Sequence, residues 1–351
     1  MSKPPVGFVP PWASAVALIG LLLGLAVATD LVGSVVLTRF ATRLYIDVIL
    51  VLGLQIFMGN TNILWFPHIG FMGIGAYASA IFSMAPLQKT LALPELYPFL
   101  AELHLPFVPA LLAGALVAAA VAAAIGLPLM RLSDFPAVIT GFAVLVIIHV
   151  VLTHWEAVTN GPQTLFGIDD YTGLWDAAAW ACLFVAVALL FKESKVGLQL
   201  RASRDDLVSA GAIGVNVVAV RWTAFVLSAF VAGIGGGLFA HFITSFTPKA
   251  FFLTETFVVL AMLVIGGPAT VTGAVVGVIA VTIAYQSLRW TENALNAAQI
   301  FERNVAGLSD VALAIGLVLV LVLRPAGLFE WHELAPPGLR RLLSWRRGAE
   351  G

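Results

Sequence analysis

The sequence predicts an all-α protein, a polytopic integral membrane bundle of about ten transmembrane helices with broken or re-entrant segments. Three observations predict it. Hydrophobic residues fill 60% of the 351 positions and charged residues only 11%, against about 25% charge in an ordinary soluble domain. Mean hydropathy is +1.00. The charges are also segregated, so that long stretches hold none and short ones hold several. This composition excludes a soluble enzyme and a disordered chain. With 18 basic against 19 acidic residues, it carries no electrostatic footprint of a nucleic-acid binder.

A helix needs about 20 apolar residues to cross the roughly 30 Å hydrocarbon core. The first candidate run is 12–37. Within it Ala26, Val27 and Ala28 fit the small-x-small pattern of a cleavage site, but only Lys3 precedes the run and apolarity continues to Leu37. An uncleaved first helix is therefore expected. The following runs are 44–58, 69–85, 107–130, 135–152, 175–191, 220–244, 256–265, 274–288 and 307–323. Glycines interrupt two regions, 59–75 and 266–277. Broken helices at membrane depth persist only where they are buried or line a cavity, so both regions are candidates for a solute pathway. Gly20/Gly24, Gly233/Gly237 and Gly273/Gly277 stand at GxxxG spacing, which lets helix backbones approach closely in lipid.

Orientation follows from the basic residues. Segment 192–221 holds Lys192, Lys195, Arg201, Arg204 and Arg221, and the tail holds Arg324, Arg340, Arg341, Arg346 and Arg347. Segment 153–176 has no lysine or arginine but carries Glu156, Asp169, Asp170 and Asp176. The first two segments are expected in the cytoplasm, the third outside, and both termini in the cytoplasm. Arg39 and Arg43 fall outside under this count, against the rule.

No chemistry of catalysis is written in the chain. Cys182 is the single cysteine, so no intrachain disulfide can form, and its apolar surroundings suit a packing role. There is no G-x-x-x-x-G-K-[ST] loop, no H-E-x-x-H, no G-x-S-x-G and no Cys or His pair at metal spacing. Neither a catalytic residue nor a metal or cofactor site is expected.

The longest hydrophilic interruption is 192–221. Arg201 and Arg204 share a helical face, Asp205 and Asp206 follow, and then comes the small run Ser209, Ala210, Gly211, Ala212. A short helix of this kind suits docking into a partner's groove. A solvated loop obeying the positive-inside rule is the plainer alternative. In region 59–75, Asn60, Thr61, Asn62, Trp65 and His68 place amide, hydroxyl, indole and imidazole groups between apolar runs. Such groups either line a solute path or hydrogen-bond a broken helix to its neighbours. Asp47 lies four residues after Arg43, which predicts an ion pair. Asp30 is placed near the outer interface, and Lys249 and Glu255 are expected to be solvated at an outer turn. His149, His154 and His241 read as packing or interfacial residues. Trp155, Trp175, Trp180, Trp290 and Trp331 read as belt residues at span edges.

Segment 192–221 resembles the cytoplasmic segment of LivM-type permeases of branched-chain amino acid ABC importers, whose pattern runs roughly G-R-A-L-R-A-I-R-E-D-E, a small run, then A-L-G-I-N. Here the pattern stands as Gly197, Leu200, Arg201, Ala202, Arg204, Asp205, Asp206, then Ala212, Ile213, Gly214, Val215, Asn216. Residues 59–77 resemble the family's G-Y-T-G-L-L-S-L-G-H-A-A-F-F-G-I-G-A-Y, which adds Gly73 and Tyr77 to the pathway residues. Residues 159–168 resemble T-G-G-P-N-G-L-x-G-I, and Ile265, Gly266, Gly267 and Gly273 resemble L-G-G-L-G-S-x-x-G. Arg324, Pro325, Ala326, Gly327 and Leu328 resemble the closing R-P-x-G-L. The resemblance covers about 44–329. It departs from the family at Asn62, Trp65 and Pro67 in the first motif, at Asn160, Gln163 and Thr164 in the outer loop, at Gly211 in the cytoplasmic segment, and at Pro268 and Ala269 in the glycine turn.

The resemblance implies a non-enzymatic permease subunit in a bacterial inner membrane. It also implies a homologous second permease, two ATP-binding subunits that hold the ATP, and a soluble solute-binding protein. Domains would be a tail with the first helix (1–43), the permease domain (44–330) and a basic cytoplasmic tail (331–351). Coupling to the ATPase would fall to Gly197, Arg201, Arg204, Asp205, Asp206, Gly211 and Gly214. The expected solutes are amino acids or related small polar organic molecules. The altered pathway motif leaves urea, amides or aromatic acids as alternatives, and an ion-coupled secondary carrier as the rival class.

Overall fold

The computed structural model describes residues 11–297 and positions 307, 311, 312, 314–316, 318, 327 and 328. Among the described residues every regular element is helical, and Leu165 and Phe246 form one isolated antiparallel bridge. Among the described residues, eight helices are long and apolar enough to cross a membrane. The expected span 69–85 is too short for that measure, and the expected span 307–323 lies largely outside the described residues.

Helix α1 (Pro11–Val32) ends at Gly33, whose φ of 64° turns the chain directly into α2 (Val35–Leu54). The expected first span therefore stops short of Leu37. The turn itself is apolar and exposed, with Leu31 82% and Val36 74% accessible, so hydropathy alone gives no sign of it. Arg39 and Arg43 consequently lie on the second span rather than in a loop. A wide π-helical turn, Gln55–Gly59, closes α2, and the two together make the most buried span of the bundle.

Residues 62–67 then run without helix into α3 (His68–Ser83). At about 1.5 Å per residue, α3 is too short to cross the core. Its first residue bonds Leu50 of α2 and Ser228 of the later α12, well inside the bundle. The short helices α4 (Pro86–Ala92) and α5 (Pro98–Glu102) follow. Lys89, fully buried between them, donates to the Leu100 and Leu103 carbonyls. Desolvation holds its ammonium below the usual lysine range.

Helices α6 (Phe107–Leu129) and α7 (Asp134–His154) form the next pair, and α8 (Glu156–Thr159) a single turn. Helix α9 (Leu174–Glu193) leads into the hydrophilic segment, which folds as α10 (Lys195–Asp205) and α11 (Leu207–Ala212). Helix α12 (Val217–Ile243) is followed by a 3-10 turn (Pro248–Phe251), α13 (Leu253–Gly266) and α14 (Val271–Ala297).

The centre of the bundle is α3, α6 and α12. In lipid, helix association rests on close packing rather than on burial from water, and here small residues supply the closeness. A Cβ on Gly75 would stand 2.8 Å from the Gly233 carbonyl carbon. One on Gly236 would stand 2.8 Å from the Met72 carbonyl carbon and 3.0 Å from the Ala76 nitrogen. By contrast, Gly20 and Gly24 of α1 have open space around them, so the same spacing there brings no helix close.

The two ends of the bundle differ in charge. One end gathers the basic residues, and there Arg221 donates to the Leu132 carbonyl, Lys192 to the Ala269 carbonyl and Arg204 to the Gly59 carbonyl. At the other end His241 bonds the Asp169 carbonyl and Leu165 pairs with Phe246. Arg43 lies toward this second end, with Nε 3.0 Å from Asp47 Oδ1 and a guanidinium nitrogen on Glu255. Glu255 is therefore an ion-pair partner rather than a solvated residue, because α2 and α13 pack side by side there.

Candidate functional site

The hydrophilic segment builds one surface at the basic end. Ser194 caps α10 by accepting from the Gly197 amide at 3.1 Å, and Gly197 sits where a Cβ would press on the Lys192 carbonyl at 2.9 Å. That close approach folds α10 back against the end of α9. Arg201 and Arg204 do not point outward. Arg201 Nη2 donates to Lys192 O at 2.8 Å, and Arg204 Nη1 donates to Gly59 O at 2.9 Å. Each guanidinium thus caps carbonyls at a helix end, where the macrodipole favours a cation.

Asp206 starts α11 as its N-cap, accepting from the Ser209 hydroxyl at 2.6 Å, the Ser209 amide at 3.1 Å and the Val208 amide at 2.9 Å. These bonds, the Ser209 hydroxyl first, hold its carboxyl below the usual carboxylate range. Asp205 is exposed beside it. Gly211 has nothing within 4 Å, and Gly214 turns the chain toward α12 at φ 88°. Besides the exposed Glu193, Lys195, Gln199, Asp205 and Asp206, the segment presents large apolar side chains: Leu198 is 51% exposed, Val208 82% and Ile213 78%. Sequence reasoning placed Arg201 and Arg204 on one helical face but gave no direction for it, and it did not single out these three exposed residues.

The wide turn Gln55–Gly59 leads into the first residues expected to line a pathway, Asn60 and Thr61. A π turn leaves carbonyls that the α-helical ladder would have used, and the following side chains take them. Asn60 Nδ2 donates to Ile56 O at 2.9 Å and Thr61 Oγ1 to Phe57 O at 2.9 Å. Both are buried. Asn62 adopts φ 58° and is exposed. Together with Thr61, Leu64, Ser203, Arg204 and Arg221 it lines a cleft of about 320 Å3 between the helix break and α10.

Trp65 is 1% exposed and packs between Phe57 and Phe225, with ring centroids 4.7 and 5.2 Å away. His68 is buried, its Nε2 2.8 Å from Leu50 O and its Nδ1 3.2 Å from the Ser228 hydroxyl. A carbonyl can only accept, so this arrangement assigns the proton to Nε2 and lets Nδ1 accept from Ser228. Gly73 faces Phe251, where a Cβ would lie 3.0 Å from its Cβ. Tyr77 stands further along α3 against Phe246, at 4.9 Å, and lines an apolar cavity of about 500 Å3 walled by α3, α6 and α7. The structure thus gathers Asn60, Thr61, Asn62, Arg201 and Arg204 at one end, and separates Gly73 and Tyr77 from them.

Three residues outside the expected set join this end. Gln55 Nε2 lies 3.5 Å from Pro268 O, Lys192 reaches the neighbouring Ala269 O, and the Leu328 amide donates to Ile265 O at 2.9 Å. Gly327, at φ 77°, seats against Gly267. The glycine turn 267–270 is therefore clasped from three sides. Gln55, one of two strongly polar residues with Asp47 in the apolar run 44–58, was its visible sign in sequence. No group of three or more His, Cys, Asp or Glu residues that could hold a metal occurs among the described residues.

The family model described as branched-chain amino acid transport system / permease component matches residues 36–323. The LivM high-affinity branched-chain amino acid transport system permease protein of Salmonella typhimurium is 27% identical over 304 residues, 76% of this chain and 67% of its own length. The corresponding LivH permease protein of Escherichia coli is 28% identical over 161 residues, 45% of this chain and 48% of its own. A nucleoside ABC transporter permease protein, NupC of Lactococcus lactis, is 32% identical over 78 residues, covering 22% of this chain and 24% of its own. No solved structure gives a significant match.

Proposed function

The chain belongs to the permease-component family of branched-chain amino acid ABC transport systems, and from that premise we propose that it forms half of the translocation pathway of an ATP-driven importer. A member of this family is a multi-pass membrane transport subunit rather than an enzyme, and ATP is bound by partner ATPases and not by the permease. The other half of the pathway is a homologous permease. Two ATPase subunits dock at the basic end, on the cytoplasmic side with both termini, and a soluble binding protein delivers solute to the acidic end. The solute is an amino acid or a related small polar organic molecule, the class shared by the names of the relatives LivM and LivH.

The observation that carries the reading is the exposure of Leu198 on α10, Val208 on α11 and Ile213 just after α11. Two exposed helices bearing large apolar side chains stand at the end of the bundle where the basic residues collect. Exposed apolar clusters outside the lipid mark partner surfaces, and a short amphipathic helix presented to a groove is a recurring docking mode. Asp205 and Asp206 stand among these exposed residues and set the partner's charge.

Co-purification from the native host membrane tests this. The wild-type chain is expected to carry two ATPase subunits and to support ATP-dependent uptake. Val208→Glu/Ile213→Glu should lose both while still inserting. ATPases that stay with the double variant would refute the docking face, and a wild type that brings none would refute the importer.

A further inference from the structure

Segments that lie 145 positions apart in the chain meet at one carbonyl oxygen. Gly59 ends the wide turn, and its carbonyl accepts from Arg204 of α10 at 2.9 Å. The other end of the same turn is held too, since Gln55 Nε2 lies 3.5 Å from Pro268 O. Gly59 itself is pressed on the Pro268 carbonyl, leaving no room for a side chain. Arg204 is in turn carried by a helix that Arg201 and Gly197 fold onto α9. Movement of α10 therefore pulls on the last carbonyl of the turn rather than on a flexible loop.

A π turn holds one residue more than an α turn. Contraction to the α register would rotate every following residue by about 100°. Residues 60–67 begin there. Asn60 and Thr61 bond back to the Ile56 and Phe57 carbonyls, four residues earlier, across the widened turn. Asn62 and Leu64 line the cleft that separates this segment from α10.

We infer that the turn Gln55–Gly59 is the two-state element of the pathway, and that Arg204 positions it through the Gly59 carbonyl. This rests on the importer reading above. Arg204 is then a positioning residue that transmits ATPase motion inward, and it does not touch the ATPase. A switch needs an element with two arrangements and a contact that differs between them. The turn supplies the first and the Arg204 hydrogen bond the second. Pro268 lies against both ends of the turn, next to Gln55 and to Gly59, and is the support between α13 and α14 against which α10 moves the register.

The test uses the whole importer in a Cys182→Ser background with Leu64→Cys as the reporter. Its rate of maleimide labelling is compared without nucleotide and with ATP and vanadate. The unaltered Arg204 complex is expected to show a nucleotide-dependent change in labelling, and Arg204→Lys to retain most of it. Arg204→Gln is expected to keep its ATPases and hydrolyse ATP, lose the labelling change, and transport about ten to a hundred times less solute per ATP, the weight of one charge-assisted hydrogen bond. Gln55→Leu, which frees the other end of the turn, should lose the labelling change as well, and serves if Arg204→Gln is not monodisperse. Labelling and transport unchanged in both variants would overturn the inference and leave the importer reading standing. Loss of the ATPases from Arg204→Gln would overturn it in the other direction, making Arg204 a docking contact. Absence of ATPases from the unaltered complex would remove the importer reading itself.

Discussion

Gly236→Ala puts the closeness of the central helices to a direct test. A Cβ at this position would lie 2.8 Å from the Met72 carbonyl carbon and 3.0 Å from the Ala76 nitrogen. Carbon atoms settle about 3.5–4.0 Å apart, so α3 and α12 would have to part by about 1 Å. Both obstacles are backbone, and no rotamer change relieves them. Over-packing of this kind costs about 1–3 kcal/mol. The better helix propensity of alanine returns at most about 1 kcal/mol. With both obstacles backbone, the cost falls toward the upper end of that range, and the net loss is about 2 kcal/mol. Gly20→Ala is the matched control, because nothing lies within 4 Å of that position, and it should be neutral or slightly stabilising. Reversible unfolding in mixed micelles, followed by tryptophan fluorescence, reads both. Equal stability of the two variants would refute the claim that backbone contact holds α3 against α12.

Two further outcomes follow from the charges. Arg43→Met leaves the Asp47 and Glu255 carboxylates facing each other without a cation. It should cost about 3 kcal/mol, and replacing all three with apolar residues should recover most of that in the same unfolding assay. Asp206 has its carboxyl held below the usual range by the Ser209 and Val208 bonds. Its cap is therefore complete above the ordinary carboxylate value of about 4 and is lost as pH falls through the lower folded value. Amide exchange at Val208 and Ser209 should accelerate on acidification, and Asp206→Asn should remove that pH dependence.

Much of the architecture was legible because lipid imposes a simple rule on composition. The spans at 107–130, 135–152, 175–191 and 220–244 agree with α6, α7, α9 and α12 to within a few residues. The break after Gly59 was legible too, because polar side chains stood between apolar runs. The turn at Gly33 was not, since its flanks are as apolar as the helices they join. Glu255 was misread because its partner Arg43 lies 212 positions away, beyond any local pattern. Sequence placed Trp65 among pathway residues on its departure from the family motif. The Phe57 and Phe225 rings that enclose it come from two other elements. The arginines of α10 were legible as a pair and their direction was not. Helical periodicity tells which residues share a face, not whether that face meets a partner or the protein's own carbonyls.

The clasp around the glycine turn also dictates an order of events during synthesis. Gln55 and Pro268 are 213 positions apart, and at about 5–20 residues per second the ribosome needs about 10–40 s to supply the second after the first. Leu328, which bonds Ile265, arrives later still. Throughout that interval the wide turn sits in the bilayer with Gln55 lacking its Pro268 contact, and α10 emerges before the turn's far support exists. On the proposed reading, an ATPase meeting the nascent chain would find α10 and its Gly59 contact already made but the turn's support at Pro268 still missing. A truncated product would then bind its motor with the register of the turn unsupported.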